Sequence, residues 1–177
     1  MRNNLVITLT GHDRIGIVDQ ITKVVLEYHG NVEASRMARL GGEFAMLMLV
    51  SAPTEQFEQL QQAVLDLKNQ GYIVVTCQTE GSDPARYVGW LPYELKVSGA
   101  DHEGIVYQIT HQLAEQGINI ETMDTNMVEA PMSGTPLFTM TAVIVVPPQR
   151  SYASLQHELE VIGDELNVDV GVLPYKG

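Results

Sequence analysis

The chain has 177 residues, an apolar content of 45% that is ordinary for a globular protein, and a formal net charge of −12. No run reaches the roughly 18 to 20 apolar residues of a membrane span, and a field of this sign repels a phosphate backbone, so neither a membrane nor direct nucleic-acid contact is expected. The acid is uneven: residues 1–80 carry 6 Lys or Arg against 9 Asp or Glu, and residues 81–177 carry 4 against 13.

Leu5–Thr10 is a short apolar stretch broken by threonines, which reads as a first strand and not as a signal peptide. Ile15–Tyr28 places apolar residues at helical spacing, with Asp13 where an N-cap belongs and Gly30 ending the helix. Asn31–Leu40 and Glu43–Ser51 read as a hairpin turning on Gly41-Gly42. Thr54–Asn69 reads as a helix capped by Thr54, and Tyr72–Thr79 as a fourth strand. After the linker composition of Glu80–Arg86 the order returns with Leu91–Ser98, Glu103–Gln116, Asn119–Glu129, Leu137–Val146, Ser151–Glu165 and Val168–Leu173. Its hairpin carries a longer loop, Ala130–Pro136, with proline and glycine in it. The lone Cys77 cannot form an internal disulfide, which fits a reducing cytoplasm.

The two halves share more than element order. Gly11-His-Asp-Arg-Ile-Gly-Ile-Val-Asp-Gln-Ile-Thr22 returns 88 positions later as Gly99-Ala-Asp-His-Glu-Gly-Ile-Val-Tyr-Gln-Ile-Thr110. From Gly11 to Glu33 that offset preserves 11 of 23 positions, a tandem duplication of a module of roughly 80 residues. The expected division is residues 1–80, a linker at 81–90 and residues 91–177. The βαββαβ order predicts an α+β fold: two ferredoxin-like domains, each a four-stranded antiparallel sheet with both helices on one face. In Phe44–Val50 both alternating residue sets are apolar, so the second sheet face is expected to be covered by the other module or another subunit, and a homo-oligomer is expected.

The repeated Gly-x-Asp-x-x-Gly lies between the first strand and first helix of each copy. Gly16 and Gly104 fall in the opening helical turn, where glycine is disfavoured, which suggests close approach of a backbone or ligand. Free N–H groups there suit a carboxylate. Asn31 and Asn119 start the second strands, on what reads as the same end of each module, and offer an amide donor and acceptor. Together these groups are placed to bracket an amino acid.

On Gly11-His-Asp-Arg-Ile-Gly16 with His29-Gly-Asn-Val32, and Gly99-Ala-Asp-His-Glu-Gly104 with Gly117-Ile-Asn-Ile120, the chain resembles tandem ACT-domain proteins, and among them the glycine cleavage system transcriptional repressor group. The resemblance spans both modules. It implies regulatory modules that bind a small amino acid such as glycine or serine where the first loop and the start of the second strand meet a neighbouring module. The ligand-binding positions so implied are Asp13, Arg14, Gly16 and Asn31, with Asp101, His102, Gly104 and Asn119. It also implies action through a protein partner such as a transcription activator, without direct DNA contact. The chain departs from many such loops in carrying Ile15 and Glu103 where proline is common, and Asp13 and Asp101 where asparagine is common. An aspartate accepts from an ammonium but repels a carboxylate. Arg14 offsets that in the first copy, which makes it the better ligand candidate.

A catalytic role is not expected. His12, His29, His102, His111 and His157 show no paired metal-ligand spacing, and there is no nucleophile elbow, P-loop or dinucleotide fingerprint. No metal and no cofactor are implied. The alternative reading is a regulatory subunit or interaction module for an amino-acid or folate enzyme, without a ligand of its own.

Overall fold

The computed structural model describes residues 1–80, 87–129, 134 and 136–175. It divides into two compact units, Met1–Asp83 and Pro84–Gly177. In the first, β1 (Arg2–His12), α1 (Ile17–Glu27), β2 (Asn31–Leu40), β3 (Glu43–Pro53), α2 (Phe57–Leu65) and β4 (Ile73–Thr79) follow in order, with 3-10 turns flanking α2. In the second, β5 (Leu91–Ala100), α3 (Ile105–Glu115), β6 (Asn119–Glu129), β7 (Pro136–Val146), α4 (Tyr152–Leu166) and β8 (Val168–Pro174) repeat the pattern. The expected α+β, ferredoxin-like class is what forms, twice. Most of the expected linker Glu80–Arg86 and most of the expected loop Ala130–Pro136 lie outside the described residues.

Each sheet is antiparallel, ordered β2-β3-β1-β4 and β6-β7-β5-β8. Helix-facing positions follow from the period of two: Leu5, Ile7 and Leu9 on β1 stand opposite Val50, Met48 and Met46 on β3, all buried with Ile21 and Leu60 from the helices. The second core repeats this with Leu95, Val97, Met140, Ile144, Ile109 and Leu159. Among the described residues, no helix is long and apolar enough to cross a membrane.

The opposite sheet faces have diverged. In the first module Leu47, Ile73 and Val75, which the register places on the face away from the helices, are 50, 70 and 59% exposed. The second module's counterpart carries Glu94, Lys96, Ser98, Thr139, Thr141 and Asp169, with Lys96 and Glu94 paired at 2.8 Å. The second face is therefore more polar at its centre than the first, although Val143 and Val145 on β7 and Leu173 on β8 leave it partly apolar.

Two expected caps are replaced. Thr54 donates its hydroxyl to the Met1 carbonyl at 3.1 Å, and the turn it opens has no side-chain cap. Asp13 does not cap α1, whose N-cap is Gly16 without a side-chain bond. Ser151 does cap a helix, accepting from the Ser154 amide at 3.1 Å at the start of α4.

Candidate functional site

The repeated motif is explained first by backbone geometry. Gly16 and Gly104 have φ of 96° and 97°, a left-handed conformation that disfavours a side chain. A Cβ on Gly16 would meet nothing within 4 Å, so this glycine is required by its torsion and not by close approach of another backbone, which corrects that part of the sequence reading. Close approach is the role of the first glycine of each motif. A Cβ on Gly11 would lie 2.8 Å from the Tyr72 ring, and one on Gly99 would lie 3.0 Å from the Val168 Cα. These contacts let the last strand of each module begin against the end of the first.

The first loop emerges beside the β2–β3 turn, because antiparallel pairing sets His12 opposite Glu43. The Asp13 amide donates to the Gly42 carbonyl at 3.0 Å, and its carboxylate accepts from Arg39 at 3.4 Å. His12 Nδ1 meets Glu43 at 3.2 Å. His12, Asp13, Arg39, Gly41 and Gly42 line an open cleft of about 530 Å³. Arg14, by contrast, is engaged elsewhere: its Nε donates to the Tyr72 hydroxyl at 2.8 Å and its guanidinium lies 4.7 Å from the Tyr72 ring centroid. The cation paired with Asp13 is thus Arg39, a residue the sequence reading missed. Its signal was present: a hairpin turning on Gly41-Gly42 and a parallel β1 and β2 together bring the end of β2 to the end of β1.

Asn31 lies elsewhere. It pairs with Ser51 at the opposite end of the sheet, where β1 begins, because β1 and β2 both run antiparallel to β3 and so start at one end. From Glu43 to Ser51 along β3 is about 27 Å at the usual strand rise. The expectation that Asp13 and Asn31 share one end of a module is therefore wrong, and the same register separates Asn119, opposite Val145, from Ala100 at the motif end. Asn31 donates to Glu33 Oε1 at 3.0 Å, which also accepts from Ser51 Oγ at 2.6 Å, and Arg2 donates to that hydroxyl and to the Ser51 carbonyl. The Ser51 and Asn31 hydrogen bonds hold the Glu33 carboxyl below its ordinary pKa, with a smaller charge contribution from Arg2. Glu33 reaches Ser51 from a β-bulge between Val32 and Ala34, and the repeated Asn-x-Glu marks an equivalent irregularity between Ile120 and Thr122. Asn119 instead borders a cleft of about 290 Å³ with Tyr87, Trp90, Gly117 and Ile118.

In the second loop Asp101 and Gly104 are exposed, and the His102 ring is held by two backbone carbonyls. Its Nε2 is 2.7 Å from the Leu166 carbonyl and its Nδ1 is 3.1 Å from the Glu103 carbonyl. The Leu166 and Glu103 carbonyls, with a weaker contribution from Asp101, raise the His102 pKa.

Comparison with known proteins matches this architecture. The ACT domain family model covers residues 3–78. The crystal structure of an unknown protein from Galdieria sulphuraria is 33% identical, with a TM-score of 0.85, over 99% of this chain and 100% of that one. A UPF0237 protein of Methanosarcina mazei is 39% identical over 64 residues, 35% of this chain and 70% of the relative. The glycine cleavage system transcriptional repressor of Escherichia coli is 53% identical over 47 residues, 27% of this chain and only 25% of the repressor. Similarity to a repressor and to this domain supports a regulatory role. With the βαββαβ unit present twice, each copy with the same glycine geometry at its first loop, the chain belongs to the ACT-domain family.

Proposed function

We propose that this protein is a non-catalytic, amino-acid-responsive regulator of glycine cleavage that acts in the cytoplasm through a protein partner. One observation carries the ligand reading: Asp13 and Arg39, paired at 3.4 Å, both line the open cleft at the end of the first sheet. A free amino acid carries both charges. Its ammonium suits Asp13 and its carboxylate suits Arg39, so the paired side chains answer the objection that an aspartate in this loop repels a carboxylate. The existing pair is exposed and its opening costs little, on the order of 0–1 kcal/mol, so a zwitterion can replace each partner. The equivalent position of the second module has no comparable pair among the described residues, which favours the first copy.

The partner surface is the exposed apolar face bearing Leu47, Ile73 and Val75, which the sheet presents away from its helices. Ligand binding at the β2–β3 turn acts on the strands that form this face, which supplies the coupling between the two sites. Isothermal titration with glycine, serine and other small amino acids tests the ligand site. Saturable binding that is lost in both Asp13→Ala and Arg39→Ala supports it, and binding that survives both substitutions moves the site elsewhere. No binding across the panel leaves a protein-interaction module without a ligand. Leu47→Asp tests the partner surface by abolishing capture of the transcription activator while leaving amino-acid affinity unchanged.

A further inference from the structure

Both ring nitrogens of His102 point at backbone carbonyls, Glu103 O at 3.1 Å and Leu166 O at 2.7 Å. Carbonyl oxygens only accept, and a neutral imidazole has one N–H, so the geometry is satisfied at both contacts only by the imidazolium. A neutral ring would set a lone pair against one of the two oxygens.

The neighbouring charges agree. The ring's own loop contributes Asp101 and Glu103, the last turn of α4 contributes Asp164 and Glu165 with no basic residue, and β8 carries Asp169 as its second residue. Leu166 ends α4, so its carbonyl belongs to the negative end of a helix dipole, where a cation is favoured. The duplication supplies a comparison. Arg14 occupies the corresponding place in the first module and ties its loop to Tyr72, through a group that stays charged at any physiological pH. The second module has a titrating tie where the first has a permanent one.

We propose that His102 is a proton-operated clasp: as imidazolium it fastens the Asp101–Gly104 loop to the C-terminal end of α4, and on losing its proton it releases one of the two carbonyls. The second loop is then held shut in mild acid and freed as the pH rises, whereas the Arg14–Tyr72 tie of the first loop keeps its charge throughout. The two copies of the motif thus answer to different signals.

Nuclear magnetic resonance titration of the intact protein from about pH 5 to 9 tests this. The expected result is a single midpoint shared by the His102 ring carbons and the backbone amides of Gly104 and Asn167, above the ordinary histidine value. In His102→Arg the amides of Gly104 and Asn167 lose their titration. In His102→Gln they also lose it but rest at the high-pH positions of the unaltered protein. A His102 ring that titrates while those amides stay flat, or amides that still titrate in His102→Arg, overturns the clasp.

Discussion

Replacing Gly16 by alanine isolates what its backbone conformation contributes, because the added Cβ meets no neighbour within 4 Å and the only cost is the torsion, φ 96°. A left-handed conformation costs an L-residue about 1–2 kcal/mol. For a small module with a urea m-value of about 1 kcal/mol per molar, that lowers the unfolding midpoint of the first module by about 1–2 M. Asparagine tolerates this region better, so Gly16→Asn should lose roughly half as much or less. Methionine methyl resonances read the two modules separately: Met46 and Met48 are buried in the first core, and Met140 in the second serves as the internal control. A Met46 and Met48 midpoint unmoved by alanine, or losses equal for alanine and asparagine, would refute the assignment of this glycine to its torsion.

The same methyl probes check three further expectations. Tyr72→Phe keeps the ring against Gly11 but removes the hydroxyl that accepts from Arg14 at 2.8 Å, so the first module should lose about 0.5–1.5 kcal/mol. Because Ser51 and Asn31 hold the Glu33 pKa low, its stabilising contribution is present above the ordinary carboxylate pKa and is lost as pH falls through the lowered folded value. Glu33→Gln should therefore flatten the acid limb of the first module's stability between about pH 5 and 3, and an unchanged limb would assign that limb to other carboxyls. Gln116 is 9% exposed, and both polar atoms of its side chain are buried without a partner, so Gln116→Leu should stabilise the second module by about 1 kcal/mol, seen as a later Met140 transition.

Local periodicity and duplication made the fold legible from the sequence. Strand alternation and helical spacing are properties of neighbouring residues, and the 88-residue offset shows that both halves use them in the same order. Asn31–Leu40 and Asn119–Glu129 form strands with the bounds their residues suggest. The motif glycines were equally visible as constrained positions. Which constraint each obeys was not, since a torsion and a contact leave the same residue: φ 96° explains Gly16, while Tyr72, distant in sequence, explains Gly11.

The candidate site depended on tertiary structure more heavily. Asp13 was legible because the motif repeats, but Arg39 pairs with it only through the register that sets His12 opposite Glu43. That same register carries Asn31 to the far end of the sheet, although adjacency after the returning helix suggests otherwise. Sequence by itself determined two βαββαβ modules and the constrained glycine loop of each, because hydrophobic period and glycine placement act over a few residues. Only the tertiary structure decided which charges meet at that loop, because ion pairs such as Asp13 with Arg39, and the hold of His102 on Leu166, join residues that strand pairing and helix packing bring together across long stretches of chain.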